Sequence, residues 1–136
     1  MCGRVKKQLL IPLSALSLTA CSQPTAPMES GVCWLSHGAG GAPFTPLARN
    51  VDNLETCAVL LEARRLQGSP DTDGAYQGYF IFVDDRQISS AMHTRGFRYP
   101  ILQPPQRAAI DRDIRALLKD HGGQLPDASQ LTLERK

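Results

Sequence analysis

The side chains of this sequence that could do chemistry are few, and they are scattered. His37 lies in a glycine-rich stretch, His93 in a run of alternating apolar and polar residues, and His121 at the end of a helical pattern. None stands at metal-ligand spacing to another histidine or to a cysteine. No metal and no other cofactor is therefore expected. Asp71-x-Asp73-Gly74 has the look of part of a calcium loop. On the full pattern, however, Phe80 would stand where the bidentate glutamate belongs, so turn chemistry is the better reading. Asp84-Asp85 reads as a solvated turn in the same way. No phosphate loop or nucleotide fingerprint is present. Arg95 and Arg98 flank Phe97 and Tyr99. Arginine and tyrosine are enriched at recognition hot spots, which makes these four the candidate partner-binding group. The competing reading is a snorkelling surface edge.

The first 22 residues carry the most specific pattern. Arg4, Lys6 and Lys7 precede a short apolar run, Leu9 to Ala20, broken by Pro12, Ser14 and Ser17. Charge, then apolar, then small residues is the order of a secretory signal, and the run is shorter than the roughly 20 residues that span a bilayer. Leu18-Thr19-Ala20-Cys21 resembles the lipobox of bacterial prolipoproteins. That resemblance implies diacylglycerol on Cys21, cleavage between Ala20 and Cys21, and acylation of the new amino group. Two or more chains anchor a protein stably where one does not. Ser22 follows the lipidated position, and by the same resemblance implies the periplasmic face of the outer membrane in a Gram-negative cell. In a Gram-positive cell the address would be the outer leaflet of the plasma membrane.

Removing such a signal changes the composition. It takes three of the 15 basic residues and none of the 13 acidic ones, turning a formal +2 into −1. A near-neutral mixed surface speaks against nucleic acid, which needs a clustered basic face. Of the four cysteines, Cys2 leaves with the signal and Cys21 carries lipid, so Cys33 and Cys57 remain. In an exported domain those two are expected to pair, worth about 3–3.5 kcal/mol on the chain-entropy model. Two buried free thiols are the alternative; no C-x-x-C arrangement supports a catalytic thiol.

The elements that must position these residues follow from spacing. Residues 1–20 form the signal, 21–30 a proline-bearing tether and 31–136 one α+β domain. Gly31 to Leu35 is β-compatible, and Ser36 to Leu47, with its glycines and prolines, is expected as an irregular loop. Asn50 to Gln67 is the strongest helix, capped by Asn50 or Asp52, with a capping-box pair Asp52/Glu55 and an apolar stripe Leu54, Cys57, Ala58, Leu61. Ala75 to Val83 reads as one central strand with Tyr76, Gly78, Phe80 and Phe82 on one face. Ile88 to Thr94 pairs back on it. Pro105 to His121 is a second helix buried through Ile110, Ile114, Leu117 and Leu118, with Asp111 and Arg115 as a solvated pair. Gln130 to Glu134 supplies a last edge strand. The sum is a small two-layer sandwich, an antiparallel sheet of 3–4 strands with two helices, in the β-α-β-β-α-β order of a ferredoxin-like fold.

The function that follows is an expectation of class. A lipid-anchored, non-catalytic structural, assembly or protein-binding module of the periplasm is the leading reading, with membrane contact through Cys21 and a periplasmic protein as partner. His37-Gly38-Ala39-Gly40-Gly41 is similar to the HGGG oxyanion loop of esterases, but that family also needs a G-x-S-x-G elbow, which this chain lacks. An envelope hydrolase built on the loop around His37, or a small-ligand carrier, is the alternative.

Overall fold

The computed structural model describes residues 23–38 and 43–125. The signal and lipobox, with Ala20 and Cys21, lie outside the described residues, as do part of the glycine-rich loop and the expected strand at 130–134.

The chain is α+β, with two helices on one face of an antiparallel sheet. The sheet has six strands, not three or four: β1 (Cys33–Ser36), β2 (Phe44–Ala48), β3 (Gly74–Tyr76), β4 (Tyr79–Val83), β5 (Ile88–Ala91) and β6 (Tyr99–Pro100). Their spatial order is β2-β1-β3-β4-β5-β6, and every neighbouring pair is antiparallel. Strands β3 to β6 form a meander, while the chain crosses from β2 through α1 to β3, which lies antiparallel beside β1. The split β-α-β of a ferredoxin-like fold, with another strand between the two that flank the helix, is not found among the described residues.

Two local features account for the extra strands. The expected single strand Ala75 to Val83 is a hairpin. Gln77 and Gly78 take φ values of 42° and 85°, the two consecutive left-handed residues of a type I′ turn, whose twist suits a two-residue hairpin. The turn also changes the facing. Tyr76 pairs with Tyr79 and faces the helices, whereas Phe80 and Phe82 face away. The second feature is β2, inside the stretch expected as loop. Pro46 is compatible with a strand there because β2 is the outermost strand and needs partners on one side only.

Helix α1 (Leu54–Leu66) starts one turn later than its first cap candidate. Asn50 has φ 57°. Asn53 caps instead, its Oδ1 accepting from Thr56 N–H at 2.8 Å. Residues Cys57 to Ala63 are all buried, because this helix lies between the sheet and helix α2 (Pro104–Asp120). The Cys33–Cys57 disulfide staples β1 to α1 with Cα atoms 5.3 Å apart, both residues fully buried. Leu61, Ile81 and Ile88 complete the centre, with Ile110 and Ile114 entering from α2. Gly74 sits where β3 passes under α1. A Cβ there would collide with the Trp34 carbonyl and come within 2.8 Å of Leu61 Cδ1.

One carboxylate inside that core is charged. Glu62 is fully buried and accepts two bonds of 2.8 Å from Arg65 and bonds of 3.1–3.3 Å from Arg107 on α2. Arg107 also donates to the Asp84 carbonyl. Burial alone would raise the Glu62 pKa; hydrogen bonds from Arg65 and Asp111, with the Arg107 charge, outweigh it and hold the group below the ordinary range. Burial and the neighbouring Glu62 push Asp111 the other way, upward. Asp111 thus faces Arg107, at 3.9 Å, and not the expected Arg115, which is exposed.

The residues 23–30, expected as tether, are docked over part of their length. Ala26 is buried against Ala75 and Phe80 on the helix-free face, the Pro27 carbonyl accepts from Gly78 N–H at 2.8 Å, and Met28 covers Gly78. The sheet therefore has two distinct ends. The arm end holds the arm, the Gln77–Gly78 turn and the turn closed by Gly96 N–H to the His93 carbonyl. The loop end holds the β1–β2 link, the segment from α1 to β3 and the turn from Asp84 to Gln87.

Candidate functional site

The helix-free face is aromatic. Trp34, Phe44, Phe80 and Phe82 come from three strands, with ring centroids 6.1 Å apart for Phe44–Phe80 and 6.2 Å for Phe80–Phe82. The arm covers one part of it. Alongside lies a groove of about 330 Å³, whose walls include Ser36, Asp73, Phe80, Phe82, Thr94 and Arg98. The Arg98 guanidinium stacks 3.8 Å from the Phe82 ring centroid, a cation–π contact that pins the charge at the groove wall.

Two carboxylates sit near that charge with opposite settings. Asp73 accepts from Val83 N–H at 2.9 Å. Although the residue reaches solvent, loss of water around its carboxyl outweighs that bond and the Arg98 charge, and raises its pKa. Asp84 accepts from Gln87 and Arg86 N–H groups, which hold its pKa down. Trp34 Nε1 and Ser89 Oγ are buried without a hydrogen-bond partner among the described residues. Both residues belong to this face, through Trp34↔Ala75 and Ser89↔Phe82.

A smaller cleft of about 250 Å³ shares Ser36, Gly38 and Asp73 with the groove and reaches Asp71. Here the loop end brings together three residues that are distant in sequence. His37, just beyond β1, has Nδ1 3.1 Å from Asp71 Oδ2 and Nε2 2.6 Å from Thr45 Oγ1 on β2. Both bonds form with Nδ1–H donating to the carboxylate and the threonine hydroxyl donating to Nε2. That is the connectivity of a hydroxyl–imidazole–carboxylate relay.

The four residues expected as one partner-binding group do not share a face. Strand alternation turns Arg98 onto the helix-free face, while Tyr99, paired with Ser90 and through it with Ile81, faces the helix side. Phe97 and Arg95 are exposed at the arm end. His93 is exposed in the turn, and His121 caps α2 with its N–H on the Leu117 carbonyl. Among the described residues no cluster of three metal-ligating side chains occurs. The sequence marked Asp71 only as a turn residue and Thr45 only as part of an expected loop, since neither type carries a mark of which histidine it will meet. No protein-family model, curated protein or solved structure matches the chain.

Proposed function

We propose that this is a lipid-anchored cell-envelope protein, held through Cys21 on the periplasmic face of the outer membrane, that binds a periplasmic protein by seating an extended segment on the helix-free sheet face. The address rests on the resemblance of Leu18-Thr19-Ala20-Cys21 to a lipobox. One observation supports the mode of binding: the same face already takes a segment of the chain's own, in which Ala26 is buried on Ala75 and Phe80 and the Pro27 carbonyl accepts from Gly78 N–H. The aromatic groove beside it has room for a second segment. Arg98 would meet a carboxylate or backbone carbonyl of the partner, and Trp34 is a donor without a partner among the described residues. Both sheet edges are poor templates for strand addition, since β2 contains Pro46 and β6 is two residues long and ends in Pro100. Recognition therefore falls to side chains on the face.

Photo-crosslinking in intact cells tests this. A crosslinking residue in place of Thr94, at the groove, is expected to yield one reproducible protein adduct. The same residue in place of Arg112, on the exposed side of α2, should yield none. No adduct from Thr94, or the same adducts from both positions, would overturn the groove reading.

A second reading, hydrolysis, is favoured by the relay of Asp71, His37 and Thr45. Thr45 Oγ would attack a substrate ester carbonyl as its proton passes to His37 Nε2. The leaving alcohol would then take that proton, and water would release the acid and restore Thr45. A fluorophosphonate probe should then label Thr45 with loss of fluoride, and label neither Thr45→Val nor His37→Ala. Absence of labelling in the unaltered protein removes this reading.

A further inference from the structure

The five exposed large apolar side chains among the described residues are Met28 at 76%, Tyr79 at 44%, Met92 at 62%, Phe97 at 88% and Tyr99 at 67%. Four of them lie at one end of the sheet, and Tyr99 lies further in, level with Ile81. Phe80 pairs with Ala91, so one further step sets Tyr79 beside Met92. Met92 follows β5 directly and Phe97 lies two residues before β6, so both belong to the link that leaves the sheet at this end. Tyr99 belongs to the same face as that row, and Met28 covers Gly78, the residue next to Tyr79. The row therefore gathers at the arm end from the start of β4, the link between β5 and β6, and the arm, with Tyr99 continuing it along β6.

The arm fixes what that end is near. Ala26 is docked on the sheet, and only four residues separate it from Cys21, five Cα steps with a reach of at most about 18 Å when fully extended. With lipid on Cys21, the arm end cannot move far from the bilayer. We infer that the row formed by Met28, Tyr79, Met92, Phe97 and Tyr99 rests on the membrane interface and orients the domain, arm end down and loop end outward. The inference rests on the lipid-anchor reading above.

The chemistry of the row suits a bilayer surface. Two of its members are tyrosines, whose apolar rings and polar tips favour the headgroup region. Arg95 projects from the turn between Met92 and Phe97 and is placed to meet lipid phosphate. Glu29, next to Met28, has its charge engaged by Arg49 at 3.1 Å. Asp52, exposed near the same end, keeps the contact at headgroup depth, because a carboxylate resists entry into hydrocarbon. In this orientation the relay of His37 and the mouth of the smaller cleft face away from the membrane, toward the space where a partner or substrate would be.

The test uses the lipidated full-length product, reconstituted in phosphatidylethanolamine–phosphatidylglycerol vesicles. On the readings above, the mature chain has no free thiol, so one added cysteine is the sole target of a membrane-impermeant polymer maleimide. In vesicles Phe97→Cys should label at least about tenfold more slowly than Arg86→Cys, which lies in the loop-end turn. In detergent the two rates should converge. Equal rates on floating vesicles would overturn this inference and leave the anchor intact. Slow labelling of Phe97→Cys that persists in detergent would also overturn it, pointing to contact between copies of the chain. Protein that fails to float would overturn the anchor reading and this inference together.

Discussion

Replacing Glu62 by alanine removes the carboxylate that accepts all of Arg107's hydrogen bonds to side chains inside the core. The residue is fully buried and Arg107 is 8% exposed, so the guanidinium would keep the Asp84 carbonyl and little else, with Asp111 at 3.9 Å. Stranding one member of a buried ion pair costs about 3–5 kcal/mol. Arg65 adds little to that figure, since its side chain is 28% exposed and can turn to water. Urea unfolding with the disulfide intact, at a slope of about 1–3 kcal/mol per molar, measures the loss. Thermal melting should show a fall of at least about 12 °C, taking about 4 °C per kcal/mol. The Arg107→Ala variant leaves Glu62 with Arg65, and should cost less than Glu62→Ala. Glu62→Leu combined with Arg107→Leu should recover much of the loss, because no charge is then left stranded. A cost below about 1 kcal/mol for Glu62→Ala, or single losses that add to within about 0.5 kcal/mol in the alanine double variant, would refute the reasoning.

Asp111 gives a pH-dependent prediction of opposite sign. Its folded pKa is raised, so ionising it opposes folding, and its favourable contribution is lost as pH rises through the folded value. Asp111→Asn should thus stabilise the protein at pH 7 and make no difference at pH 3, read from urea midpoints; a gain of equal size at both would contradict it. Glu62 has a lowered pKa, so its stabilising contribution is present above the ordinary carboxylate pKa and lost as pH falls through the folded value. The Cys33–Cys57 bridge closes a sequence separation of 24 residues. Its removal by Cys33→Ala with Cys57→Ala should cost about 2–5 kcal/mol, and the denatured, unreduced mature chain should show neither thiol to a maleimide.

How much of this was legible beforehand depended on whether the deciding interactions were local. Helix α1 and helix α2 were legible because their apolar spacing and their glycine and proline stops are local. The pairing of Cys33 with Cys57 was legible because a reading of Cys2 and Cys21 as signal and lipid site leaves those two as the remaining cysteines. The sheet was not. Gln77-Gly78 looked like two positions of one strand, since an aromatic-rich run hides a turn that two positive φ values create. That turn moved Tyr76 and Phe80 to opposite faces, and with them the whole assignment of core and groove. Strand β2 was hidden by Pro43 and Pro46, which an outermost strand accepts and an interior strand does not. Glu62 looked like an ordinary helix residue, although the run Ala58 to Ala63 is otherwise apolar on every side. A helix buried all round leaves no solvent face for a carboxylate, and that was the available sign of a paired charge. The meeting of His37 with Thr45 and Asp71 had no such sign, because it depends on the β1–β2 link and the segment after α1 closing on one another.

The proposed address and the proposed nearness of the arm end to the bilayer both depend on lipid at Cys21. Its most direct test is the mass of the N-terminal peptide of the protein extracted from membranes of the native cell. The expected peptide begins at Cys21 and carries diacylglycerol on sulfur with an acyl group on the amine. A mature chain that begins elsewhere, or an unmodified Cys21, would contradict it.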